Sequence, residues 1–182
     1  MLNVSIIIPA WNESERILDC LLNATRQTVM PYEVLVVDNR STDDTCAIVE
    51  RFIAEHPEAP VKLLHQNDEQ GLIPTRNFGL NAATGDVLGR FDADCMIRPD
   101  WVEVVSGIFT EDPEAMGATG PVMYYDMPSR HFGLRSGQFP AQTHVQSRRR
   151  PAAAVRLEYG FARFRLVSDR QRGVPGQSRR DA

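Results

Sequence analysis

Cysteine is scarce in this chain of 182 residues: Cys20, Cys46 and Cys95 are an odd number, and no two of them form a C-x-x-C pair. A disulfide framework is excluded, no cysteine zinc signature is present, and a reducing, cytoplasmic setting is the default. Long apolar runs are missing as well. Nothing approaches the roughly 18–20 residues of a membrane span, and the run Val4–Pro9 is too short and too poor in flanking basic residues for a signal peptide. Membrane contact is therefore expected to be peripheral or through a partner. Lysine occurs once, at Lys62, and no G-x-G-x-x-G follows the first apolar run, which argues against a dinucleotide site.

What is present is ordinary in bulk, with 42% hydrophobic and 24% charged residues, and it excludes wholesale disorder and collagen-like structure. The length fits one domain with an appendage. The net charge of −4 conceals an asymmetry. Residues 1–126 hold 21 acidic and 8 basic side chains, a net of −13, whereas residues 127–182 hold 3 and 12, a net of +9.

The acidic part alternates strand and helix signals. Val4–Ile8 is a β-branched run stopped by Pro9 and reads as a strand buried on both faces. Asn12 is placed to cap the next helix, with Ile17, Leu18, Leu21 and Leu22 on one face. Glu33–Val37 reads as a second strand. Ser41–Asp44 has the spacing of a capping box for a helix to about Glu55, with Cys46, Val49, Phe52 and Ile53 as its apolar stripe. Val61–Leu64 is a third strand, and Pro74 fits the first turn of a helix to about Ala83. Asp86–Phe91 is a fourth strand, Pro99 opens a helix to about Thr110, and Ala118–Tyr125 reads as a fifth strand. This order specifies an α/β fold, a mostly parallel sheet flanked by helices, whose ligands gather at the carboxyl ends of the strands.

Those ends are polar: Asn12-Glu13 after the first strand, Asp38-Asn39 after the second, Asp92-Ala93-Asp94 after the fourth. Crowded carboxylates repel, so either their protonation shifts or a cation joins them. Two aspartates two residues apart on extended backbone point the same way, and two hard oxygen ligands suit Mg²⁺ or Mn²⁺ on a diphosphate. A helix-capping role for either aspartate is the bland alternative. A D-x-D phosphatase is the other enzyme reading, but it needs a downstream lysine, and Lys62 lies upstream.

Four segments together resemble the family 2 glycosyltransferases, which have a Rossmann-like GT-A fold. They are Ser5–Glu13, Val36–Thr45, Gly71–Asn77 and Asp92–Asp94, in the family's order and spacing. The resemblance covers residues 3 to about 125. It implies a nucleotide-sugar-binding domain over residues 1–126 and a nucleotide-diphosphate-sugar donor across the strand ends. By that likeness Pro9, Ala10, Trp11, Asn12 and Glu13 line the base and ribose pocket, and Asp38, beside Asn39, accepts a hydrogen bond from the base. Arg76 lies near base and phosphate; its structural alternative is a surface pair with Asp68 or Glu69. Asp92 and Ala93 face the donor, with Asp92 toward ribose and metal, and Asp94 coordinates the metal. The likeness also suggests cell-envelope or polysaccharide synthesis, on an unidentified glycan, lipid or protein acceptor.

Two departures stand out. Arg40 replaces the glycine usual after the second-strand acidic residue, and ordinary backbone is expected there, because an arginine at positive φ is strained. The paired acidic residues of the family's acceptor half have no counterpart in the Arg-rich 127–182, expected to be poorly ordered; Asp126 is only the nearest carboxylate. That leaves the catalytic base unidentified, and with it a non-catalytic donor-binding fragment as the alternative. Nucleic acid is not the expected partner of the tail, which lacks a recognition motif and interleaved aromatics. The same composition also fits an ordinary solvated tail or a shifted reading frame from about Leu134. The shifted frame is favoured, because the charge reverses where the four motifs stop. A sheet lacking its later elements would expose an edge, so homodimerisation stays open.

Overall fold

The computed structural model describes residues 1–118 throughout and, beyond them, only the backbone of strand residues 119, 143–147, 153–155 and 165–166. The order is β1 (Val4–Ala10), α1 (Ile17–Thr25), β2 (Glu33–Asp38), α2 (Thr45–Glu55), β3 (Val61–His65), α3 (Leu72–Ala82), β4 (Val87–Arg90), α4 (Trp101–Glu111) and β5 (Ala115–Thr119). Three short strands follow, β6 (Thr143–Ser147), β7 (Ala153–Val155) and β8 (Arg165–Leu166).

The main sheet runs β3-β2-β1-β4-β8. Its first four strands are mutually parallel, and β8 adds antiparallel to β4. A separate antiparallel sheet has the order β5-β6-β7. All of β1 and β2 is buried, because alternate side chains feed two cores. Ile6 and Ile8 pack with α1, α2 and α4 through residues such as Leu21, Phe52 and Val105. Ile7, Leu35 and Val37 form the thinner core on the opposite face, where α3 sits so close that a Cβ on Gly79 would lie 2.5 Å from Ile7 Cγ2 and 2.8 Å from Val37 Cγ2. Burial of these β-branched strands on both faces is the main term holding the sheet.

The chain leaves β1 toward β2 and β3, then returns to place β4 on the other side of β1. The strand order therefore reverses at β1, and the carboxyl ends of β1 and β4 lie side by side at the position where ligands bind in such sheets.

Several helix starts differ from expectation. Asn12 caps nothing: α1 begins at Ile17 with Arg16 at its N-cap position, and no side chain caps it. Leu18, expected on the inner face, is exposed, while Cys20 and Ala24 are buried with Ile17 and Leu21. The Ser41 capping box does not form either, since α2 starts at Thr45 and Ser41 is engaged elsewhere. Cys46 is only half buried and turns toward Asp38 rather than the apolar stripe. The fifth strand starts at Ala115, three residues earlier than expected, and the stretch to Tyr125, with Asp126, lies outside the described residues. Pro74 does fall in the first turn of α3.

Arg40 has φ +63°, the left-handed region, contrary to expectation. The conformation is held because the Arg40 amide donates to Asp38 Oδ2 at 3.1 Å and its guanidinium reaches the Asn67 carbonyl. Among the described residues no helix is long and apolar enough to cross a membrane.

Candidate functional site

The loops after β1 and β2 are stitched together. The Asn12 amide donates to Ser41 Oγ at 2.9 Å, and Asn12 Oδ1 accepts the Thr42 amide at 2.8 Å. The Glu13 amide donates to Thr45 Oγ1 at 2.8 Å and the Ser14 amide to Asp43 Oδ2 at 3.0 Å. These bonds satisfy backbone donors that a helix cap would otherwise have used, and they hold Asn12 at φ +55°. Asp43 is depressed to about 2: burial alone would raise it, but bonds from Thr45 and Ser14 outweigh that cost.

Asn39 is a brace. Its carboxamide donates to the carbonyls of Gln66 and Glu69 at 2.7 and 3.0 Å and accepts the Gly71 amide at 2.7 Å, so all of its polar reach fixes the loop between β3 and α3. Gly71 stands at φ 141°, ψ 158°, a conformation open essentially to glycine alone. The loop thereby delivers α3, and with it Arg76.

Pro9 and Ala10 are buried strand residues, and Ala10 contributes its carbonyl to the Asn39 amide at 3.0 Å. Trp11, by contrast, follows the end of β1 and is 55% exposed. Asp38 is buried, with its carboxylate accepting the Arg40 and Ser41 amides and lying 3.7 Å from His65 Nδ1.

The D-x-D segment is a turn rather than extended chain: β4 ends at Arg90, and the Cys95 amide donates to the Asp92 carbonyl at 2.9 Å. Ala93 still points into the core while Asp92 is half buried and Asp94 exposed, so both carboxylates stay on the outer side. Asp92 Oδ1 is met by Arg76 Nη2 at 3.4 Å and Arg90 Nη1 at 3.1 Å. Arg76 therefore pairs with Asp92, not with Asp68 or Glu69.

Glu13 shows that the ends of β1 and β4 converge. Its carboxyl is raised by burial first, then by the negative fields of Asp94, Asp43 and Asp92, with Arg16 opposing. The buried Cys20 thiol lies behind the same cluster, is raised by burial and by these neighbours, and approaches the Asp92 carbonyl at 3.9 Å. Hard oxygen donors in a mutually repelling set are chemistry a divalent cation would satisfy, so the residues fit one.

Arg90 is not legible in the sequence as a site residue, because it closes a strand that reads as apolar. The available signal is an arginine inside a buried run, which requires an anionic partner. Ser41, Thr42 and Thr45 are hidden likewise, because their spacing matches that of helix-capping residues.

The strand-order reversal thus brings Glu13, Asp92 and Asp94 together with two guanidiniums, Arg76 and Arg90, at one edge of the sheet. The sequence matches Glycosyl transferase family 2 over residues 5–170; the chain belongs to that family. It is 32% identical to glycosyltransferase AglE of Haloferax volcanii over 173 residues, 91% of this chain and 54% of that protein. Two solved structures share the fold. The mannosyltransferase PcManGT of Pyrobaculum calidifontis, in complex with GDP-Man and Mn²⁺, has 30% identity and a TM-score of 0.55 over 64% of this chain and 34% of its own. S. aureus TarS 1-349 with UDP-GlcNAc has 27% identity and a TM-score of 0.53, over 60% and 31%. The parallel sheet and its helices are thus a GT-A core, and the chain spans about half the length of AglE. Similarity runs on past residue 125, to residue 170 in the family match. The boundary that motivated a shifted reading frame is therefore absent.

Proposed function

We propose that this chain is the donor-binding part of an inverting, metal-dependent glycosyltransferase that moves a sugar from a nucleotide-diphosphate-sugar to a glycan, lipid or protein acceptor. The observation that carries the reading is the meeting of Glu13, Asp92 and Asp94 with Arg76 and Arg90 at the strand-order reversal. Trp11 offers a flat apolar face to the base, and Asp38 an acceptor for a base N–H. Arg76, half buried on α3, sits where a diphosphate would draw it from Asp92. Asp94 with Asp92 would hold Mg²⁺ or Mn²⁺, which when bound neutralises the leaving diphosphate. Attack by an acceptor hydroxyl in line with that leaving group inverts the anomeric centre and needs a general base. No base is assigned.

The phosphatase alternative is set aside by the family membership. A non-catalytic donor-binding module is the second reading. Calorimetric titration with UDP-, GDP- and dTDP-sugars, with and without Mn²⁺, tests both. The expected result is Mn²⁺-dependent binding of one donor that Asp94→Ala abolishes. Failure of every donor to bind overturns both readings, and release of nucleoside diphosphate on adding acceptors separates enzyme from module.

A further inference from the structure

A second cluster of ligand-type side chains lies at the neighbouring strand ends, built from three different elements. Asp38 ends β2, His65 ends β3 directly opposite it in the parallel ladder, and Cys46 stands in the first turn of α2. One ligand atom from each lies within 4.8 Å of the others. The Cys46 thiol lies beside the Asp38 carboxylate, and His65 Nδ1 is 3.7 Å from Asp38 Oδ2. Drawing a thiolate, an imidazole nitrogen and a carboxylate oxygen onto one ion takes only a small contraction, since tetrahedral zinc ligands lie at about 2.0–2.3 Å from the metal.

We infer that Asp38, Cys46 and His65 form a three-ligand site for a borderline-soft divalent cation of the zinc type, with its fourth position open. The donor set decides the class. Sulfur and imidazole nitrogen disfavour Mg²⁺ and favour Zn²⁺, whereas the all-oxygen Asp92–Asp94 turn has the opposite preference. The surroundings are arranged for it. The Arg40 and Ser41 amides orient the Asp38 carboxylate while leaving lone pairs unused. His65, half exposed, gives the ion a way in from solvent. No C-x-x-C signature announces such a site, because the ligands come from residues 38, 46 and 65 and meet only through strand register and the helix start. The site stands independently of the donor reading. If that reading also holds, an ion here occupies Asp38 and competes with the nucleotide base.

The test is titration of the full chain with Co²⁺ under reducing conditions, followed by absorption. A thiolate-to-cobalt charge-transfer band is expected, bleached by Zn²⁺ and unaffected by Mg²⁺. Cys46→Ser should abolish it, and His65→Ala, a change at a half-exposed edge position, should weaken Co²⁺ binding by about tenfold or more. Circular dichroism checks that both variants fold. A band that persists in Cys46→Ser places the metal at Cys20 or Cys95 and overturns the assignment. So does the absence of any band in the wild-type chain, or an unchanged titration in His65→Ala.

Discussion

Arg90 and Asp92 stand either side of Phe91 at the end of β4, and they meet with Arg90 Nη1 3.1 Å from Asp92 Oδ1. Phe91 between them points inward and takes the edge of Trp101, with ring centroids 4.6 Å apart. The aromatic contact anchors the strand end, and the alternation of the chain leaves both charged residues on the opposite side, facing Arg76. Asp92 is thereby held between two guanidiniums, and Asp94, two residues further on, stays at the exposed tip of the turn.

Replacing Arg90 by Met keeps the stem and removes the charge. The Arg90 side chain is 12% exposed but its partner is 46% exposed, so water still reaches the carboxylate. The expected cost is about 1 kcal/mol, rather than the several that follow from breaking a fully buried pair. Urea unfolding measures it. Asp92→Asn in the Arg90→Met background should then cost less than in the wild type, and equal costs in both would show the pair to be uncoupled.

The strands, their order of polarity and the strand-end carboxylates were legible because burial on both faces writes itself as β-branched runs, as in Ile6-Ile7-Ile8. Helix starts were not. A capping signal is a short polar cluster, and Asn12, Ser41 and Asp43 carry it equally well while bonding across two loops. Cys46 departs from its expected apolar stripe for a related reason. Helical spacing gives the face of a side chain, but the face that α2 turns to Asp38 is set by where Thr45 binds the Glu13 amide. Arg90 was hidden because its partner is defined by a turn, not by a period.

Glu13 predicts a pH effect at this edge of the sheet. Its carboxyl is raised by burial and by Asp94, Asp43 and Asp92, so the folded chain keeps that proton to higher pH than the unfolded chain does. Its contribution to stability is therefore favourable at low pH and is lost as pH rises from the ordinary value of 4.5 through the folded pKa. Glu13→Gln should be more stable than wild type at pH 7 and should lose that advantage near pH 4. Thermal melts across this range check it; a variant less stable at neutral pH would show that Glu13 is already compensated.

Glu33 predicts the reverse slope at the other end of the sheet. Burial would raise it, but the Thr84 amide, the Ser5 hydroxyl, Lys62 and the Thr84 hydroxyl outweigh that and lower it. The contacts are 2.7 Å from the Thr84 amide, 2.8 Å from Ser5 Oγ and 3.1 Å from Lys62 Nζ. Its stabilisation is present above the ordinary value of 4.5 and is lost as pH falls through the folded pKa. Glu33→Gln should cost about 1–3 kcal/mol at pH 7 and flatten the acid limb. Lys62→Met should cost no more than about 0.5 kcal/mol, because Lys62 is 62% exposed while Glu33 is 3% exposed. Equal costs for the two would mean that the ion pair, not the buried hydrogen bonds, holds this corner.

Arg40 tests how the loop after β2 is held. Its φ of +63° costs an L-residue about 1 kcal/mol, a cost that glycine avoids. The guanidinium bond to the Asn67 carbonyl and the amide bond to Asp38 work against that strain. Arg40→Ala loses the side-chain bond and keeps the strain, whereas Arg40→Gly loses the bond and removes the strain. The alanine variant should therefore be less stable than the glycine variant by about 1 kcal/mol, and the wild type should fall between the two or match the glycine variant. Denaturant midpoints of the three chains decide it. An alanine variant as stable as the glycine variant would mean that the loop relaxes to ordinary backbone once the arginine is gone, leaving the guanidinium bond as what holds the left-handed turn.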